Sequence, residues 1–310
     1  MKHKEGAPQC AGTDNTLAVK PSLSSSLAQF SSEYPAQYFN HDGQRSHFID
    51  TGAGQYERTV LCLHSRFGWA YSFRKIIPKL VYHGFRVVAV DLLGFGLSDK
   101  PEDAAKLTIS EQSARVKALI QHLGLSELTL VAHEMGASVA AQLPRMLPDT
   151  VETLVFVNPA SRIVENGWPG LHMWRTLMNA GLEIDVTAEI ARICPGLTMD
   201  ELEAYNEPFK TSKGLIGPRH FHETVVLEEG DPDYAFVENS YRWLREKWTG
   251  RNFVLAGTED PIFGVDAAKN FCNQIGCTKG VIQLDDVSGH PFEQQPSCID
   301  LVTNELFAAR

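Results

Sequence analysis

A carboxylate, Glu134, stands in the run LVAHEMGAS (130–138), where an apolar stretch gives way to small residues. Ala132 and Gly136 flank it two positions away on either side, the spacing a sharp strand-to-helix turn requires, because larger residues would clash where the chain reverses. A side chain at the tip of such a turn is presented as an attacking group. Further on, FVLAGTEDP (253–261) sets Asp260 in a turn behind a strand-like run, and DVSGHP (286–291) sets His290 in a late loop. Taken singly, Asp260 before Pro261 is a turn former and His290 a surface residue. In the order Glu134, Asp260, His290 they make a catalytic set: the imidazole takes a proton from water or the nucleophile, and the acid fixes its tautomer and stabilises the imidazolium.

The elements that must position these groups are short and apolar. Segments 59–63 (TVLCL), 86–90 (RVVAV), 128–132 (LTLVA), 154–157 (LVFV) and 253–256 (FVLA) read as buried parallel strands. Helices are expected over 71–83, 110–122 and 136–146. The βαβα alternation implies an α/β fold, a doubly wound, mostly parallel sheet with catalytic groups at the carboxyl ends of its strands. Residues 160–240 break the rhythm with helical, aromatic-rich sequence including Trp168, Trp174, Tyr205 and Phe209, and read as an inserted helical cap. The core is then 36–159 and 241–310, preceded by a Ser-rich, flexible arm over 1–35.

At 310 residues and 43% hydrophobic content, the chain can bury a large core without staples. A net charge of −10 and a pI near 5.6 exclude nucleic acid and anionic membrane as principal partners and point to a small-molecule substrate. Six cysteines without a C-x-x-C pair read as reduced thiols, with no metal site. There is no signal-peptide h-region and no run of about eighteen apolar residues, so a cytoplasmic monomer or homodimer is expected. The DLLGFG segment (91–96) lacks G-x-G-x-x-G spacing and implies no nucleotide cofactor. Ser138, inside the helix after the turn, is poorly placed to replace Glu134.

From about Tyr34 onward the chain resembles the haloalkane dehalogenases of the α/β-hydrolase superfamily, near the epoxide hydrolases. The likeness runs through LCLHSRFGWAYSFRKIIPKL (61–80), VVAVDLLGFGLSDKP (87–101), LTLVAHEMGAS (128–138), LTMDELEAYNEPF (197–209), VLAGTEDPIFG (254–264) and SGHPFEQ (288–294). It implies an α/β-hydrolase fold with a cap, an acid after the later strand (Asp260), and no cofactor. It also implies displacement of a leaving group by the turn carboxylate, followed by hydrolysis of the resulting ester by His-activated water.

Several positions depart from that pattern. Glu134 replaces an aspartate, and its extra methylene moves the carboxylate by roughly 1.5 Å, where ~1 Å of misplacement can cost about a hundredfold in rate. The two halide-binding tryptophans align with Met135 and Ile193, which lack an N–H donor in their side chains, predicting weak dehalogenation. The family's His-Gly-x-Pro segment reads His64-Ser65-Arg66-Phe67. The backbone N–H groups of Arg66 and Met135 are expected to form the oxyanion hole. Three placements of the Arg66 guanidinium are open: a ligand for a substrate anion, a buried pair that lowers the pKa of Glu134, or a solvent-facing group. Arg66, His133, Ile193, Trp168 and Trp174 are the candidate substrate-binding residues, with a structural hydrogen bond the other use of His133 and simple packing that of the tryptophans. The expected activity is a cofactor-independent hydrolase with Glu134 as nucleophile or general base. The alternatives are a lyase or isomerase, or a ligand-binding protein that has lost the chemistry.

Overall fold

Strands β3 (Arg58–Leu63), β4 (Phe85–Val90), β5 (Leu128–His133), β6 (Val151–Val157), β7 (Arg251–Gly257) and β8 (Val281–Leu284) pair in parallel, preceded by β1 (Gln37–His41) and β2 (Gln44–Asp50). The sheet order is β1-β2-β4-β3-β5-β6-β7-β8, and β2 runs antiparallel to both β1 and β4. This computed structural model describes residues 23–160 except 53–55 and 57, and residues 175–308 except 178, 182, 225, 227, 228 and 278.

The five apolar runs read as strands are all strands. β3, β4, β5, β6 and β7 are buried along almost their whole length because helices cover both faces of a parallel sheet. Each wholly buried Leu, Val, Ile or Phe there contributes about 1.5–3 kcal/mol relative to exposure. The hairpin β1–β2 carries no apolar run, although Asp42 and Gly43, both at positive φ, supply the turn that two such strands need. Its strands QYFNH and QRSHFID carry too many polar residues to stand out as apolar runs.

Two expected helices differ in detail. The first is a 3₁₀ turn (Ala70–Phe73) followed by a short helix (Ile77–Tyr82), and the stretch after Glu134 is split into Met135–Ala140 and Leu143–Met146, with Pro144 at the restart. The helix Ile109–His122 stands as expected, capped by the Thr108 hydroxyl accepting from Glu111 N–H.

The region expected as cap contains helices Val186–Ile193, Met199–Asn206 and Ile216–Thr224. The last lies on the turn after β4 at glycine contact: a Cβ on Gly217 would stand 2.6 Å from the Gly94 carbonyl oxygen. The expected boundary at 240 falls inside helix Tyr234–Glu246, whose Tyr241 meets Phe271 of the core helix Val265–Ile275 edge-on.

Part of the arm expected over 1–35 is ordered. Residues 1–22 lie outside the described residues, but Ser25–Glu33 is a helix that buries Leu27 and Phe30. Phe30 packs edge-on against Trp69 and Tyr71, and Asp200 of the cap helix Met199–Asn206 accepts from the N–H groups of Ser25 and Ser26, each at 2.7 Å. Serine-rich composition hid a helix start, since serine hydroxyls and N-terminal amides are the groups such a contact uses.

Candidate active site

Glu134 sits between β5 and the helix Met135–Ala140 at φ 49°, ψ −106°. A non-glycine residue in that region costs of the order of 1–3 kcal/mol and persists where surrounding structure enforces it. Here the Glu134 N–H donates to the Val157 carbonyl (3.0 Å), and its own carbonyl accepts from Ala137 N–H (3.1 Å) and Ala160 N–H (3.2 Å). Gly136 explains the small-residue requirement, because a Cβ on it would fall 2.4 Å from the Leu63 carbonyl oxygen. The turn read from the sequence is therefore a tight junction between β5 and β3.

The Glu134 carboxylate is buried and paired through Oε1 with Nη1 of Arg66, itself buried. Of the three placements open for Arg66, the structure makes the ion pair. The guanidinium also lies over the rings of Phe67 (4.9 Å), Phe263 (5.3 Å) and Phe221 (5.9 Å), so core, sheet-end loop and cap enclose one permanent cation. The pairing does not bring Glu134 below its ordinary pKa. Burial raises it to about 7; the Arg66 guanidinium and backbone N–H pull it back without overcoming desolvation, and Asp260 adds to the rise. The Arg66 N–H expected in the oxyanion hole is thus engaged with the carboxylate. Met135 begins the helix, where backbone N–H groups have no intrahelical acceptor, and its side chain is buried.

His290 is wholly buried behind β8, and burial with the nearby charges of Arg66 and Arg74 depresses its pKa to about 3. Its Nε2 lies 3.4 Å from the Ser65 hydroxyl, and its Nδ1 has no hydrogen-bond partner among the described residues. The expected bond from His290 to Asp260 is absent. Asp260 is engaged elsewhere: Oδ1 accepts from the N–H groups of Ile262 (2.8 Å) and Phe263 (2.9 Å), and Oδ2 accepts from Asn158 Nδ2 (2.6 Å). The two loops are nonetheless neighbours, since a Cβ on Gly289 would stand 3.4 Å from Asp260 Oδ2.

His133 holds the histidine loop. Its Nε2 lies 2.9 Å from the Gly289 carbonyl, and its ring meets His290 edge-on at 4.8 Å. Burial and the neighbouring imidazole keep it neutral. Its Nε2 thus makes the structural hydrogen bond that was one of the two uses expected of His133. Ile193, at the end of the helix Val186–Ile193, accepts the Gly289 N–H through its carbonyl (2.9 Å), so that helix and the histidine loop touch directly. The helix Met199–Asn206 is tied to the same region by Arg74, which pairs with Glu293 and with Glu201 (2.6 Å), while Tyr205 donates to Glu293 (2.6 Å). Ser138 donates to the Ala160 carbonyl (3.4 Å), a structural contact. Trp168 and Trp174 lie outside the described residues.

Two residues escaped the sequence reading. Asn158, at φ 43° just beyond β6, accepts from Gly257 N–H and donates to Asp260 and to the Ser288 carbonyl, joining the ends of β6 and β7 to the histidine loop. Ser65, just beyond β3, faces His290. Each is a polar residue following an apolar strand at its carboxyl end, which is the signal that marks functional positions in such sheets. Among the described residues no group of three or more His, Cys, Asp or Glu side chains is arranged to hold a metal ion, the cysteines are unpaired, and no helix is long and apolar enough to cross a membrane.

The model of the α/β hydrolase fold family matches residues 58–188. Among curated proteins, a haloalkane dehalogenase of Mycobacterium marinum is 29% identical over 228 residues, covering 71% of this chain and 74% of that protein. A haloalkane dehalogenase of Psychrobacter cryohalolentis is 28% identical over 221 residues, covering 70% and 72%. Among solved structures, the tetrameric haloalkane dehalogenase DpaA from Paraglaciecola agarilytica superposes with a TM-score of 0.78 at 24% identity, over 89% of this chain and 93% of that one. With its eight-stranded, mostly parallel sheet and its strained turn, the chain has the α/β-hydrolase fold, and its homologues are haloalkane dehalogenases, hydrolases of that superfamily.

Proposed function

We propose that this chain is a haloalkane dehalogenase-like, cofactor-independent hydrolase of small or medium organic electrophiles in which Glu134 attacks carbon and Arg66 receives the charge of the leaving group. The observation that carries this reading is the Arg66–Glu134 pair at the tip of the strained turn. When the carboxylate forms a bond to carbon, its negative charge passes to the departing anion. A guanidinium already in place stabilises charge on either side of that step without reorganising, which is what preorganised electrostatic catalysis requires. Met135 and Ile193 have no N–H donors in their side chains, so the cation stands in for the indole pair that the resemblance implies. Neutral His290 then activates water to cleave the Glu134 ester.

One observation favours a second reading. A carboxyl raised to about 7 is matched to general-base work near neutral pH, which would make the reaction an elimination, isomerisation or ring opening. Exposure of the His290→Gln protein to haloalkanes, epoxides and lactones, followed by intact-mass measurement, separates the two. A trapped ester mapping to Glu134 supports substitution. Turnover by the unaltered protein without an adduct in the variant supports the base, and neither result from either protein rejects both.

A further inference from the structure

We propose that Ser65 and His290 form a second nucleophile–base pair beside Glu134, directed at activated carboxylic esters and independent of attack by Glu134. Ser65 follows β3 and His290 precedes the helix Pro291–Gln294, so sheet-end loops far apart in sequence bring the hydroxyl to 3.4 Å from Nε2. Catalytic hydroxyl–imidazole contacts are often this long without substrate and tighten in the reacting complex. Both side chains are wholly buried, and the ring of His290 is fixed between His133 (4.8 Å) and Tyr205 (5.6 Å), each edge-on. Nε2 is therefore aimed at Ser65 by packing. The Glu134 carboxylate is meanwhile held by Arg66, so the base faces the serine and not the carboxylate.

The imidazole is neutral across the physiological range, as a general base must be, because burial keeps its pKa near 3. With the ring proton on Nδ1, Nε2 accepts the Ser65 proton while Oγ bonds to the acyl carbon. The carbon–oxygen bond to the alcohol breaks, and Nε2 returns the proton to that leaving oxygen. Water repeats the sequence at the acyl-serine, releasing the carboxylic acid and restoring Ser65. Arg66, the next residue in the chain, stays paired with Glu134 and takes no part in the proton transfer. Asp260 takes no part, since it does not bond to His290, and acylation through such a dyad is slow compared with a complete triad.

The experiment treats the full-length protein with 4-nitrophenyl acetate and with a small alkyl fluorophosphonate, then maps adducts by intact mass and peptide sequencing. One adduct is expected, on the peptide carrying Ser65. Ser65→Ala and His290→Gln are expected to slow labelling at least tenfold at unchanged circular dichroism, whereas Glu134→Gln still labels at Ser65 and so separates this pair from the carboxylate chemistry. Ser65→Cys, which preserves size and a nucleophile, is expected to be alkylated by iodoacetamide in a His290-dependent manner, keeping the test open if the alanine variant misfolds. An adduct on any other residue, labelling unaffected by loss of Ser65 or His290, or no adduct with either reagent overturns the proposal.

Discussion

The guanidinium of Arg66 is bound to the carboxylate of Glu134 inside the protein, with both side chains almost fully shielded from water. A buried pair of this kind gains little over well-packed apolar residues but becomes costly when one member is left alone. The proposed chemistry uses its position at the tip of the strained turn.

Breaking the pair from either side tests that. Arg66→Met is expected to lower stability by about 3–5 kcal/mol and Glu134→Gln by a smaller amount, because an amide still accepts a hydrogen bond. The double change Arg66→Met/Glu134→Leu should recover most of the loss. Urea denaturation of the three variants measures this, and a double variant no more stable than Arg66→Met alone would contradict a coupled pair.

Glu134 also sets a pH dependence. Its folded pKa of about 7 lies above the ordinary value of 4.5, so between those limits the folded protein holds a proton that the unfolded chain has lost. Stability from this group therefore falls as pH rises from about 4.5 to about 7, while the ionised, attacking form grows over the upper part of that window. The rate of Glu134 alkylation in the His290→Gln protein is expected to rise with pH through about 7. A profile flat from about pH 5 to about pH 8 would refute the assignment.

His290 acts in the opposite direction. Its pKa is depressed from 6.5 to about 3, so its contribution is present above pH 6.5 and is lost as pH falls toward 3, where the unfolded chain takes up a proton that the folded protein refuses. The slope from one such group approaches about 1.4 kcal/mol per pH unit. Replacing His290 with Gln should flatten the acid side of the stability curve, measured by urea unfolding at several pH values.

Asn158 is expected to be a positioning residue. Asn158→Ala removes its bonds to Gly257, Asp260 and Ser288 and leaves the buried Gly257 N–H unsatisfied, at about 1–3 kcal/mol. Calorimetry should show the loss, and turnover should drop with it because the ends of β6 and β7 no longer hold the histidine loop.

At Gly136, a Cβ must displace the carbonyl of Leu63, which lies 2.4 Å away in backbone that cannot swing aside. Gly136→Ala is expected to cost about 3 kcal/mol or more, read as a shift of the urea midpoint.

What the sequence determined by itself were the features that depend on local chemistry. Apolar runs at 59–63, 86–90, 128–132, 154–157 and 253–256 specify strands buried on both faces, and Ala132, Glu134 and Gly136 specify a turn, because sterics at a strand-to-helix junction act over a few residues. The helix Ser25–Glu33 and the hairpin β1–β2 were hidden, since serines and alternating polar residues look like loop until a distant partner such as Asp200 or β4 is in place. The tertiary structure alone decided that Arg66 meets Glu134, that His290 faces Ser65 instead of Asp260, and that Asn158 joins three loops. Those relations rest on distances of a few ångströms between segments far apart in the chain, and on burial strong enough to move a carboxyl to about 7 against its own cation. Neither quantity is encoded in residue spacing.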